Sequence, residues 1–228
     1  MEKEDSIKIE EAVLNIRKLN AEYGSLALEM TKACNGNMYL MDLYVMATIN
    51  RSENLVSAFC DLVEKKNFLV AVPVLRMQLD NLFRLRAAWL VDDINNFVME
   101  VLGGTAISKL KDRNGNKMAD WYLVDSLCKE YPVLKNIYEK SCGYVHFSDQ
   151  HFFSTVKNMG PDAKMEMYIG NYSDNIPSKS YIDASSAFFQ ISGIMLSYIK
   201  GWIITKEGGA LKSRGSSQIS NSNSIGNV

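Results

Sequence analysis

The chain holds two histidines, His146 and His151, and both fall within one stretch, YVHFSDQHFF. An imidazole takes up and releases a proton near neutral pH, so either side chain suits general acid–base work. Cys142 stands four residues before His146, a spacing that lets a thiolate and an imidazole meet if one helix carries both. Gly143 between them weakens that helix, and a buried thiol is the commoner fate of a cysteine. Cys142, His146 and His151 are also metal-ligand types, but no fourth ligand is evident and no metal is expected. A second constellation lies earlier, in VLRMQLDNLFRL, where Arg76, Asp80 and Arg84 are spaced four apart. On a helix they share one face, and charges inside so apolar an element need partners.

Each candidate has a structural reading beside the chemical one. His146 can end a helix with its ring hydrogen-bonded to a core carboxylate such as Asp80. His151 can stand in solvent on a loop. The Arg76/Asp80/Arg84 row can orient a bundle through internal ion pairs. Lys109, Lys111, Arg113 and Lys117 read as a solvated face or as a phosphate-contacting patch. Phosphate-binding glycine loops, H-E-x-x-H, G-x-S-x-G, G-x-G-x-x-G and the calcium-loop pattern are absent from the sequence, which argues against the common nucleotide hydrolases, metalloproteases and dehydrogenases.

The elements that must position these groups are helical. Residues 4–32 carry Ile9, Val13, Ile16, Tyr23, Ala27 and Met30 on one helical face, and the Asn-Gly-Asn at 35–37 ends it. Residues 39–66 form a second helix with a stripe of Leu40, Tyr44, Ala47, Leu55, Ala58 and Leu62; Arg51 falls in that stripe, snorkelling or paired. Residues 67–92 are apolar on nearly all sides and read as the central helix, with Pro73 at a first turn or a kink. A shorter helix ends at Gly103-Gly104. Residues 105–117 read as a loop or frayed helix with a turn, and two helices follow, Pro132 opening the second. Beyond His146 the apolar residues alternate in HFFSTV and KMEMYIG, which predicts a small β-hairpin near residues 151–170. A last helix is expected from a capping box at Ser180 and Asp183.

The expected fold is therefore an all-α bundle of five to seven helices, with one domain over residues 1–206 and a disordered Ser/Gly/Asn-rich tail over 207–228. With 228 residues and 47% hydrophobic composition the chain can bury a sizeable core. A formal net charge of −1 offers no global field for nucleic acid or an acidic membrane. Four cysteines without a C-x-x-C pair suit a reduced, cytoplasmic setting. The charged N-terminus is unlike a secretory signal. Residues 182–204 are long enough to span a bilayer, but they carry Asp183, Gln190, Lys200 and several serines; a buried core helix is expected, without stable membrane insertion.

The VLRMQLDNLFRL helix and the later IYEKSCGYVHFS segment, with Tyr138, Ser141, Tyr144, His146 and Ser148, together resemble a group of uncharacterised bacterial all-helical proteins distantly similar to HEPN domains. The resemblance covers roughly residues 40–205, and its specific part is about twenty residues. It implies a helical bundle, often dimeric, of a bacterial toxin or antiviral defence system, and for many members metal-independent ribonuclease activity. His146 matches the catalytic histidine of the family's Arg-x(4–6)-His pattern. At the arginine's place this chain has Lys140, a poorer fork for a phosphate. The resemblance then implies His146 as general acid–base; in the mechanism expected from it Arg76 of the central helix supplies the missing guanidinium for the phosphate and Asp80 orients the network, with Lys140, Arg84 and Tyr144 binding substrate. RNA, a protein encoded nearby and a second copy of the chain are the expected partners, and no cofactor is expected. The alternative is a non-catalytic helical binding or regulatory module in which the Arg/Asp/His residues serve packing.

Overall fold

The structure, a computed structural model, describes residues 3–159, 165–170 and 176–208. Eight α-helices are seen among them: α1 (Lys3–Lys32), α2 (Leu40–Glu64), α3 (Phe68–Ala87), α4 (Ile94–Leu102), α5 (Asp120–Cys128), α6 (Val133–Val145), α7 (Asp149–Thr155) and α8 (Ser178–Glu207). Two short strands, β1 (Val156–Met159) and β2 (Met165–Met167), pair antiparallel. The all-α bundle is the expected class, with one helix more than the expected upper count.

Four long helices close a ring. α1 packs against α2 and α8, and α3 packs against the same two. α3 also receives α5 and α6 on its outer side, and α4 leans on α2. That explains why α3 is apolar nearly all round: it has neighbours on most sides, and Leu79, Leu82, Leu85 and Ala87 are fully buried. Ile16, Tyr23 and Met30 of α1 and Phe188, Ile191, Met195 and Ile199 of α8 line the same core.

Breaks fall where the backbone demands them. Ala33–Gly36 form a 3-10 turn in which Cys34, Asn35 and Gly36 all take positive φ, as expected of the Asn-Gly-Asn stretch. α4 stops at Gly103, and Gly104, at φ 88°, adopts a left-handed conformation that favours glycine. Residues 105–117 are the expected exposed loop and turn. They contain a 3-10 turn over Ile107–Lys109 and a tight turn in which the Asp112 carboxylate accepts from the Asn114 and Asn116 N–H groups and the Tyr122 hydroxyl.

Three local expectations are corrected. The apolar stripe assigned to α2 is rotated: Met41, Val45, Ile49, Val56, Phe59 and Val63 are buried, whereas of the expected stripe Leu55 is buried, Ala47 is exposed and Leu40, Tyr44, Ala58 and Leu62 are only half-buried. The buried face includes polar Asp42, Thr48 and Ser52, which a count of apolar residues passes over; the Asn81 amide satisfies the Thr48 carbonyl and the Ser52 hydroxyl. Residues 149–155 form α7 instead of a strand. Ser148 caps it, accepting from the Gln150 N–H and donating to the Gly143 carbonyl, and local capping outweighs the apolar alternation. The hairpin begins only at Val156, and residues 160–164 of its connection lie outside the described residues. α8 starts at Ser178 after Pro177, so Ser180 and Asp183 lie inside the helix and form no capping box.

α8 runs through Glu207, the first residue of the expected tail; residues 209–228 lie outside the described residues. By length and composition α8 could cross a membrane, but half of its most apolar window is buried inside the protein.

Candidate functional site

His146 follows the last turn of α6. Its N–H closes on the Cys142 carbonyl at 3.4 Å, its backbone is extended, and its side chain is exposed. Among the described residues its ring makes no hydrogen bond or ion pair. The helix ends at Val145, so Cys142 and His146 do not share a continuous helical face, and no thiol–imidazole hydrogen bond forms. Gly143 stays helical and has a different use: a Cβ there would stand 3.2 Å from Ser148 Oγ and from Gln150 Cγ. Its absence lets the start of α7 fold back on α6.

His151 is bound into that fold-back. Its Nδ1 accepts from the Ser148 N–H at 3.2 Å, so in this conformation the neutral ring carries its proton on Nε2. The ring stacks on Phe147 with centroids 5.3 Å apart and planes at 21°. Tyr144 is half-buried, edge-on to Phe68, with its hydroxyl donating to the Gln150 side chain at 3.3 Å; burial pushes its phenol above the usual range. It packs α6 against α3 rather than standing open to a substrate. Lys140 is exposed on α6.

The row on α3 divides between two neighbours. The Arg76 guanidinium lies 4.4 Å from the centre of the Tyr138 ring on α6 and 5.9 Å from that of Phe83. Among the described residues it has no ion pair. Asp80 turns the other way, to Arg84 at 3.2 Å and Arg51 of α2 at 3.4 Å. Arg84 continues the chain of charges to Asp120 at the start of α5. Burial, the largest single influence on Arg84, pulls its pKa down, but the charges and hydrogen bonds of Asp80 and Asp120 together raise it above the ordinary value. These partly exposed pairs tie α2, α3 and α5 together, and each contributes little on its own.

Arg76, Asp80 and His146 therefore do not converge within one chain. Arg76 meets α6 at Tyr138, a little over two helical turns before His146, which is about 12 Å along the axis. Asp80 belongs to the Arg51/Arg84 pair, and among the described residues no carboxylate orients the imidazole. Among the described residues no three His, Cys, Asp or Glu side chains are grouped to hold a metal ion. A cleft of about 400 Å³ opens between α1, the end of α2 and Tyr181, and another of about 340 Å³ opens between α3, the α5–α6 junction and α8. Neither is lined by Arg76, Asp80 or His146.

The polar centres deepest in the bundle are ones the sequence reading passed over. Asp42 and Lys206 form an ion pair at 3.0 Å with both side chains fully buried. Gln78 donates to Ser192 and to Tyr23, whose phenol burial pushes up to about 12. One signal was present for the first pair: Lys206 continues the Ile199, Trp202, Ile203 stripe of α8, a lysine on a core face. Comparison of the chain with protein-family models, curated proteins and solved structures finds no match.

Proposed function

We propose that this chain is a non-catalytic helical binding module that docks a second copy of itself through the aromatic surface where α6 meets α7. The observation that carries this reading is the exposure there of Phe147, at 80%, and Phe152, at 60%, in mutual edge contact with centroids 5.3 Å apart. Val145, half exposed, adjoins them. Clustered exposed aromatic side chains beside a well-packed core mark an interaction surface. A two-fold axis through such a surface is the commonest way for a chain to cover it with itself. In this reading Asp80 and Arg84 serve helix packing, and the setting is intracellular.

Sedimentation velocity tests it. The wild type is expected to sediment as a dimer at micromolar concentration, and the Phe147→Asp/Phe152→Asp variant as a monomer with an unchanged circular dichroism spectrum and Tm. A wild type that stays monomeric, or a variant that stays dimeric, refutes the docking surface.

A second reading rests on a different observation: His146 is exposed without a side-chain partner, and Arg76 carries no counter-ion among the described residues. The exposed His146 ring is open to a phosphate, while the half-buried Arg76 guanidinium rests against the Tyr138 ring. A HEPN-like ribonuclease of a bacterial defence or toxin system would place two His146 rings near the two-fold axis and so assemble across protomers what one chain leaves apart. Here wild-type protein in EDTA is expected to cleave single-stranded RNA, and His146→Ala is expected to lose at least about a hundredfold in rate, the usual size of a general acid–base contribution, while remaining dimeric. A wild type without cleavage above background leaves the binding module alone.

A further inference from the structure

The turn between α4 and α5 sets two lysines face to face. The Asp112 N–H donates to the Asn116 carbonyl and the Met118 N–H to the Leu110 carbonyl, both at 2.9 Å. These bonds flank the antiparallel bridge between Lys111 and Lys117. A pair flanked in this way is of the non-hydrogen-bonded kind, in which both side chains leave on one face with Cβ atoms about 4.5–5.5 Å apart. Asp112 and Met118, the next residue along each strand, are buried, so the lysines take the outer face, and both are exposed. Like charges directly opposite each other are destabilising. Among the described residues the ammonium groups of Lys109, Lys111 and Lys117 make no ion pair or hydrogen bond that relieves them. The carboxylates of the same region are committed elsewhere: Asp112 accepts from Tyr122, Asn114 and Asn116, Asp120 holds Arg84, and Asp92 lies 3.8 Å from Arg113. Trp121 follows Lys117 by four residues, at most about 14 Å of chain. It is 70% exposed, and its ring meets that of Tyr122, whose hydroxyl is anchored on Asp112 of the turn. None of these residues belongs to α6 or α7.

We propose that this surface binds a single strand of nucleic acid, with one phosphate between Lys111 and Lys117 and a neighbouring base stacked on Trp121. A phosphate there replaces the repulsion of the two ammonium groups by two attractions. An exposed indole is a stacking platform that any base can use. Neither described cleft is lined by these residues. An open surface suits a strand laid along it, whereas a mononucleotide needs enclosure. An acidic peptide supplies the charge without the base, and a duplex keeps its base faces stacked inside. With a net charge of −1 the chain as a whole offers no attraction, so the affinity is local and sensitive to salt. DNA and RNA share this chemistry.

Fluorescence anisotropy of labelled oligothymidylate and oligouridylate, titrated with the full chain between about 50 and 200 mM salt, tests the proposal. Binding is expected with a slope of log K against log salt of about −1.4 or steeper, the value for two or more phosphate contacts on a single strand. Lys117→Glu is expected to fold with a Tm at or above that of the wild type, since it exchanges a like pair for an opposite one, and to bring the slope close to zero. Trp121→Ala is expected to weaken binding by about tenfold with the slope unchanged. Tighter binding of one oligonucleotide names DNA or RNA as the source, and equal affinities mark the shared backbone and base as what is recognised. The proposal is overturned if neither strand binds, if Lys117→Glu keeps the wild-type slope, or if Trp121→Ala keeps the wild-type affinity. Oligoglutamate or a duplex competing as well as the strands also overturns it, by reducing the surface to charge alone.

Discussion

Asp42→Ala is expected to destabilise the protein by about 3–5 kcal/mol, because it strands a buried ammonium. Asp42 Oδ1 accepts from the Trp202 indole at 2.7 Å, and Oδ2 accepts from Lys206 Nζ at 3.0 Å and from the Tyr39 N–H at 2.8 Å. Lys206 also donates to the Met30 carbonyl at 2.7 Å and lies 5.7 Å over the Tyr39 ring. One carboxylate thus joins the start of α2 to the end of α8, and the lysine joins that end to the end of α1. Without Asp42 the charge keeps its desolvation and loses its counter-ion. Substituting both partners, as Asp42→Leu with Lys206→Met, is expected to recover only part of the loss, since it removes the unpaired charge but leaves the Trp202 indole and the Tyr39 N–H without their acceptor. Urea denaturation of the two singles and the double gives the coupling. A loss below about 1 kcal/mol for Asp42→Ala, the level of an exposed pair, would show that water reaches the lysine and that the knot is not buried.

Phe188→Ala should lose about 3–5 kcal/mol as well, by leaving a cavity. Phe188 is fully buried within the apolar stretch 182–204 and stacks on Phe59 of α2 with centroids 4.4 Å apart and planes at 20°. Its neighbour Phe189 is 45% exposed, and Phe189→Ala should stay within about 0.5 kcal/mol. That asymmetry is the signature of a core helix with one packed face. Comparable losses at the two positions, measured by the same denaturation series, would mean that α8 has no preferred inner face and would reopen the membrane-spanning reading of this helix.

Much of the helix inventory was legible in the sequence. The steps of three and four in α1, the Asn-Gly-Asn break, the glycine pair after α4, the proline before α6 and the all-round apolarity of α3 each act within a few residues, and the structure keeps all of them. The misreadings arose where a polar side chain belonged to the core or where a cap competed with a pattern. Asp42, Thr48 and Ser52 hid the true face of α2. Ser148 and His151 turned an alternating stretch into a helical turn. Pro177 started α8 before its expected cap.

The candidate site fared differently. The spacing of Arg76, Asp80 and Arg84 placed them on one stretch of helix, but Arg76 faces α6, Asp80 reaches Arg51 of α2 and Arg84 reaches Asp120 of α5. Each residue of helix turns the side chain by about 100°, and which neighbour lies at that azimuth is not written in the local sequence. The buried pairs make the same point over longer range: Lys206 and Asp42 are 164 residues apart, and Gln78 and Ser192 are 114 apart.

By itself, then, the sequence determined where the long helices lie, where most of them break and that the long apolar stretches can pack together, because helix hydrogen bonds and caps close within about four residues. Only the tertiary structure decided which charges are buried together, that His146 stands in solvent apart from Arg76 and Asp80, and that Phe147 and Phe152 are left uncovered. Those outcomes depend on the relative rotation and depth of helices far apart in the chain, which packing of the whole core sets and no local pattern encodes.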